Sequence, residues 1–398
     1  MTIAPATAGG SPGEVLRIIR DGRASTRTEV MDVTGLSRST VMHRLGVLLS
    51  AGLLLEGPGS GRSSGGRPPS ALTFNEEVGV VLAADLGAAH GRLAVCDLAG
   101  RPLAEHEQPL RIADGPGPVL GWVGERLDSM LTEIARTHAD VLAVGVGIPG
   151  PVEVATGRPI SPPIMPGWDG HPVAAELGEQ FQAPVLLERD VNAMALGEHR
   201  RHWPALRHML FVKVATGIGA GIISDGELLR GSHGRAGDIG HIRAISPSEV
   251  LCTCGNHGCV GALASGSAIV RQLQESGVDA TSNADLVELV RSGHAEATHL
   301  VREAGRLLGA ALAAVVAVVA PTALVVGGEL AEASEPLLAG IRESVYRRSS
   351  PLATRELRIL TSRLGARAGV VGVTTLALEH VLRPASVDAL LARRGIAA

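Results

Sequence analysis

The sequence predicts an α/β protein: a two-lobed, phosphate-gripping body behind a small helical head. Three observations predict it. Short apolar strands end in glycine turns at three well-separated places, three amphipathic helical segments crowd residues 13–55, and the composition changes at Glu77. A chain of 398 residues is long enough for two or three domains with substantial cores.

Bulk composition narrows the class. A hydrophobic fraction of 45% with a net charge of −4 fits a globular protein and excludes a disordered one. Aromatics make up only 2%, so the cores must be built from Ala, Val, Leu and Ile. Lys213 is the only lysine; every other basic side chain of that class is arginine. Residues 1–75 hold eight Arg against five acids, a net +3, which leaves −7 on the remainder. A basic head on an acidic body suits a DNA-contacting head. The first residues lack a basic-then-apolar leader, so the expected location is cytoplasmic. Leu307 to Val326 is uncharged and long enough to span a membrane. Pro321 and Gly327-Gly328 instead make it a buried helix, a turn and the strand Ala323–Val326, so no membrane is expected.

The head comes first, over residues 11–75. Gly13–Asp21 places Val15, Leu16, Ile18 and Ile19 on one helical face, and a second helix runs from about Arg27 to Val33. Thr34-Gly35 stops it, and Ser37 caps a third helix carrying Val41, Leu45, Leu48 and Leu49 inward. A glycine turn between two helices is the shape of a helix-turn-helix. Its second helix offers Arg38, Ser39, Thr40, His43 and Arg44 from its first turns, the positions that enter a major groove. Gly57–Pro69 follows, rich in Gly, Ser and Pro, with Arg62 and Arg67; it reads as a basic wing toward phosphate or the minor groove. The rival reading is a helical protein-interaction domain followed by a linker. The basic wing and the polar first turn of the third helix favour DNA.

The body carries the glycine turns. Val78–Ala84, then Asp85-Leu86-Gly87, then Arg92–Asp97 make a hairpin whose tip can approach a phosphate and hold a metal-bound water. Thr216-Gly217-Ile218-Gly219-Ala220-Gly221 follows the strand Leu210–Val214, where missing side chains let backbone N–H groups close around phosphate oxygens. Strand residues come after it, so it is not a dinucleotide fingerprint. Val325-Val326-Gly327-Gly328-Glu329 closes a third strand. Between them, the strand Pro184–Leu187 runs into Glu188-Arg189-Asp190, then the helix Ala193–His199. A carboxylate at such a junction lies in the crevice where ligands bind, although a helix N-cap is the plainer explanation. In a sugar kinase Asp190 would orient and deprotonate the attacking hydroxyl.

His241, Cys252, Cys254 and Cys259 form the most specific motif, a His-x10-Cys-x-Cys-x4-Cys set. One imidazole and three thiolates are a tetrahedral zinc set, and four protein ligands make the metal structural. The alternatives are three buried cysteines that bind nothing, or His257 in place of His241. Asp238 stands three residues before His241, so zinc would fix the loop that presents this carboxylate to the crevice.

Together these motifs resemble the ROK family of repressors, open reading frames and kinases. The resemblance rests, in order, on the winged head, DLG at Asp85, GIPGP at Gly147, PGW at Pro166, RDVNAMALGEH at Arg189, TGIGAG at Thr216, AGDIGH at Ala236 and CTCGNHGC at Cys252. It implies an actin-like (ribonuclease H-like) two-lobed sugar-kinase fold preceded by a winged helix-turn-helix, with a sugar in the cleft and structural zinc. It further implies that Asp190 matches the catalytic base and that Asp238 and His241 lie on the sugar-binding loop. Asp85, Gly87, Gly217, Gly219 and Gly328 match the nucleotide side. The lobes are expected over residues 77–200, completed by a C-terminal helix 375–398, and over 201–374. There are departures from the family pattern. Ala89 replaces the Thr of DxGxT, Arg189 the Asn before the catalytic Asp, Asp238 the sugar-loop Glu, and Gly261 the Glu after the last cysteine. Each lost bond to a ligand hydroxyl costs about 1–3 kcal/mol, which weakens glucose phosphorylation.

The resulting expectation is a repressor-type regulator that binds palindromic operator DNA as a homodimer or homotetramer and takes a carbohydrate effector between its lobes. The rival is an ATP- and Mg²⁺-dependent sugar kinase with a DNA-binding head. A non-catalytic scaffold would have no need of Asp190, Asp238 and a metal-fixed loop together.

Overall fold

The computed structural model describes residues 10–58, 70–245 and 248–396. In the head, each of three helices is started by a side chain that meets an orphan N–H. Ser11 accepts from Glu14 N–H ahead of Pro12–Arg20; Thr26 and Glu29 form a reciprocal capping box on Arg27–Thr34; Ser37 accepts from Thr40 N–H ahead of Arg38–Ser50. Gly35, with φ +67°, supplies the left-handed residue that ends the second helix. Strands Leu54–Gly57 and Ala71–Phe74 pair antiparallel, Leu54 opposite Phe74, as the base of the wing. Arg62 and Arg67, expected from the sequence on a wing, lie outside the described residues. Arg27 grips Glu56 through both terminal nitrogens, at 2.7 and 2.9 Å, and so ties the second helix to the hairpin.

The head's core holds two residues from the far end of the chain. Val387 and Leu391 of the last helix, Pro384–Arg393, are buried with Leu16, Val30, Leu45 and Leu72. Gly13 N–H donates to Asp388 Oδ1 at 2.8 Å, and a Cβ on Gly13 would sit 2.2 Å from Pro384 O. Here the structure corrects the sequence-based expectation of one helix over 375–398 completing the first lobe. Pro384 splits that segment, because proline disfavours a helical residue before it and Arg383 is extended, at φ −64° and ψ 138°. The penultimate helix Ala368–Val381 packs on the first lobe's sheet, while the last helix enters the head.

The body is built from two five-stranded sheets with one topology. The first runs, in spatial order, Pro102–Pro109, His90–Cys96, Val80–Leu86, Val141–Ile148, Val185–Arg189. The second runs Glu227–Leu229, Ile218–Ser224, Met209–Val214, Ala323–Gly327, Arg358–Thr361. In both, the chain makes an antiparallel meander of three strands, then adds two parallel ones beside the first. That repeated order is a duplicated ribonuclease H-like unit, the actin-like architecture. Central strands covered on both faces read as continuous apolar runs, and Val141–Ile148 is buried throughout.

Two helices fill the space between the sheets. Asp190–His202 lies against the second sheet and Ala368–Val381 against the first, and they pack on each other. Gly372 makes that contact intimate, since a Cβ there would meet Ala193 O at 1.8 Å. The helix Ala295–Val319 packs along Ser334–Arg348 outside the second sheet. No described helix is long and apolar enough to cross a membrane, which settles Leu307–Val326 as helix, turn and strand.

Candidate functional site in the interlobe cleft

Asp85 is the penultimate residue of Val80–Leu86, 4% exposed, and lies opposite Gly147 on the parallel neighbour. The N-terminus of the penultimate helix comes down on it: a Cβ on Gly369 would fall 2.2–2.4 Å from its carboxyl atoms. That end of a helix is the favourable place for an anion. His90 Nε2 stands 3.8 Å from Asp85 Oδ2, and the same imidazole covers Gly87. Opposite, Gly217 has open space on its side-chain face, Gly219 lies beside Arg189, and Gly328 has φ +89° at the end of Ala323–Gly327. Ser267 donates to Thr216 O at 2.8 Å and Gly266 N–H to Ala215 O at 2.8 Å, which backs the glycine turn from behind.

Asp190 opens the helix Asp190–His202 and is 6% exposed. It shares the cleft with Asp85, since a Cβ on the intervening Gly147 would lie 3.6 Å from Asp85 Oδ1 and 3.8 Å from Asp190 Cα. Both of its oxygens are occupied: Oδ1 accepts from Val191 N–H at 2.6 Å and Oδ2 from Lys213 Nζ at 2.5 Å. The chain's only lysine is therefore bonded to the residue expected from the sequence to match a kinase base.

Two departures from the family pattern meet each other. Arg189 Nη2 donates to Asp238 Oδ1 at 3.1 Å, with Arg189 10% and Asp238 30% exposed. A longer cation and a shorter acid thus close on one another across 49 residues of sequence. Sequence reasoning missed Glu188, which anchors this corner. Its carboxylate, 1% exposed, accepts from Asn192 Nδ2 at 2.9 Å, Arg189 N–H at 3.0 Å and Arg230 Nε at 2.6 Å. The available signal was a charged residue at the end of an apolar strand.

The loop bearing Asp238 is pressed against the strand Ile218–Ser224. Gly237 has φ +84°, and a Cβ on it would lie 1.9 Å from Ala220 O, so only glycine fits. Three residues on, His241 turns Nδ1 toward Cys252 Sγ at 3.4 Å, while Cys254 and Cys259 Sγ are 3.7 Å apart. All four donor atoms lie within 4.8 Å of one another. A tetrahedron with Zn–S bonds near 2.3 Å has edges of about 3.8 Å, so these donors fit a single metal ion. Gly255 and Gly258, both with positive φ, turn the knuckle. Burial, then the neighbouring thiols, push the Cys259 thiol up to about 12; a hydrogen bond from the Asn256 backbone brings Cys254 down to about 7. His257 is not in the cluster.

On the head, Arg38, Ser39 and His43 are exposed along the third helix; Thr40 and Arg44 are half-buried. Ser37 Oγ holds Ser39 and Thr40 hydroxyls at 2.9 and 2.8 Å, and Arg44 Nε donates to Gly10 O at 2.8 Å. Three of the five predicted positions therefore face solvent freely, and Arg44 is tied to the segment before the first helix.

The ROK family model matches residues 81–380, and the chain belongs to the ROK family. It is similar to the xylose repressor of Caldicellulosiruptor bescii, 27% identical over 382 residues, with 92% of this chain and 95% of that one covered. A solved ROK family transcriptional regulator, a homolog of the E. coli MLC protein, matches with a TM-score of 0.79 and 25% identity over 97% of this chain and 98% of the other. A ROK family glucokinase from Streptomyces griseus, solved with glucose and AMPPNP, matches with a TM-score of 0.65 and 28% identity over 76% of this chain and 100% of the other.

Proposed function

We infer that the protein is a sugar-responsive transcriptional regulator of the repressor type, which binds operator DNA through its head and a carbohydrate between its lobes. The observation that carries this is the head. Repressor relatives align with head and body together, whereas the complete glucokinase accounts for only 76% of the chain. The reading places Arg38, Ser39, Thr40, His43 and Arg44 at the major groove, and Arg62 and Arg67 on the wing. Asp190, Asp238 and His241 face the sugar, while Asp85, Gly87, Gly217, Gly219 and Gly328 line the opposite wall. A structural zinc ion held by His241, Cys252, Cys254 and Cys259 fixes the loop of Asp238. The protein works in the cytoplasm as a dimer or tetramer on a palindromic site. The name of the C. bescii relative makes a pentose the first candidate effector.

Coupling requires the sugar to favour one lobe arrangement over another. The penultimate helix offers a route, because it starts on Asp85 and leads into the last helix, whose Val387 and Leu391 are buried in the head. A binding assay on the gene's own upstream DNA, with and without xylose, glucose and other sugars, tests this. Specific binding that one sugar changes is expected; no specific binding overturns it. Arg38→Ala should weaken operator binding by about 1–3 kcal/mol while leaving sugar binding intact.

The second reading, an ATP- and Mg²⁺-dependent sugar kinase with a DNA-binding head, is favoured by Asp190 at the strand-to-helix junction. It requires phosphate transfer that Asp190→Asn abolishes. No turnover across a broad sugar panel removes it.

A further inference from the structure

The two sheets repeat one strand order, so positions on the first strand of one have counterparts on the first strand of the other. Asp85 is the penultimate residue of the first strand of its sheet, between Arg92 and Gly147 on the neighbouring strands. Lys213 is the penultimate residue of the first strand of the other, between Gly219 and Gly327. An acid on one wall of the cleft is answered at the equivalent place on the other wall by the chain's only lysine.

Lys213 also has the surroundings of a bound cation. Its Nζ lies 2.5 Å from Asp190 Oδ2, with the two side chains 17% and 8% exposed. Asp85 and Glu329 add their fields. Burial alone would pull the Lys213 pKa down, but Asp190 first, then Asp85 and Glu329, carry it above the ordinary lysine value, so the group stays charged. Glu329 is itself held by Asn283, which also reaches Thr216 Oγ1 at 3.3 Å beside the glycine turn. Phosphoryl transfer needs carboxylates that hold a divalent cation and another with a free oxygen to take a proton. Here one side chain serves as the cation for the first need and occupies the oxygen required for the second.

We propose that Lys213 is a resident cation standing in for a divalent metal, so that the cleft receives a sugar without admitting a metal–nucleotide complex. The proposal deepens the receptor reading above and rests on it. Lys213 acts through Asp190, as a positioning residue. A merely structural ion pair would affect stability alone, whereas a stand-in cation leaves a vacancy for a real one when it is removed.

The test uses the full-length, zinc-loaded protein with Mn²⁺ alone, followed by electron paramagnetic resonance titration, and with Mg²⁺ plus ADP, followed by thermal shift. Wild type should bind no Mn²⁺ in the cleft and show no Mg²⁺-dependent stabilisation by ADP. Lys213→Met should gain one saturable Mn²⁺ site, on the order of a hundredfold tighter than any wild-type binding. Lys213→Arg, which keeps the charge, should behave as wild type. If Lys213→Met does not fold, Lys213→Gln carries the same expectation, since it keeps a hydrogen bond to Asp190 without the charge. Magnesium-dependent ADP binding by wild type overturns the proposal, as does a folded, uncharged variant that gains no metal site. Sugar and operator binding are measured on the same samples. Their absence in wild type would defeat the receptor reading, and the metal result would still stand or fall by its own arm.

Discussion

At the scale of single residues, the cleft sets charge against charge. Arg189 closes on Asp238 and Lys213 on Asp190, so two carboxylates that could meet a ligand hydroxyl already have cationic partners. Glu188 holds the corner, and removing it strands the buried Asn192 amide and the Arg189 N–H. Glu188→Ala should therefore cost about 2–4 kcal/mol in urea denaturation, with Glu188→Gln costing less. Cys96 offers a control for the three clustered cysteines. Burial pushes its thiol up to about 11, and it is 3% exposed. Iodoacetamide should leave Cys96 unmodified in the native protein and label it after denaturation, as read by mass spectrometry. Much of this residue scale was legible: Asp85 and Asp190 stand at strand ends, and the cysteine spacing names its own chemistry. The pairings were not legible, because Arg189 and Asp238 are brought together only by tertiary folding. One signal was available, a lone lysine inside the apolar strand Met209–Val214.

At the scale of elements, the last helix and the cysteine knuckle each tie down neighbours that have little core of their own. Leu391 is fully buried in the head, so Leu391→Ala should destabilise it by about 2–5 kcal/mol and expose the third helix to limited proteolysis. The apolar spacing of Val387 and Leu391 marked a helix in the sequence, but periodicity identifies a buried face and not the partner that buries it. Chelation of the His241, Cys252, Cys254 and Cys259 cluster should lower the melting temperature by roughly 2–4 °C for each kcal/mol lost. It should also weaken sugar binding, because Asp238 rides on the same loop. Elemental analysis of a folded, metal-free protein with full sugar affinity would defeat that link.

At the scale of the whole molecule, head, first lobe and second lobe meet through three helices, and pH should be felt throughout. Burial lowers the pKa of His199, whose ring nitrogen lies 2.7 Å from Leu206 O; burial and then Arg383 lower that of His380. Both are more easily protonated unfolded than folded. Their contribution to stability is thus present above the ordinary histidine value of about 6.5 and is lost as pH falls through the lowered folded values. Thermal melts from pH 7.5 to 5 should show this decline, and His199→Gln should flatten it. The two-lobed fold was legible because glycine turns recur after apolar strands. The equivalence of Asp85 and Lys213 became visible only once both sheets could be laid over each other.

The burial of the last helix inside the head also bears on synthesis. Ribosomes would deliver the three head helices first and Val387 and Leu391 some three hundred residues later, a delay of about 15–60 s at ordinary elongation rates. During that interval the nascent head lacks two of the side chains that fill its core.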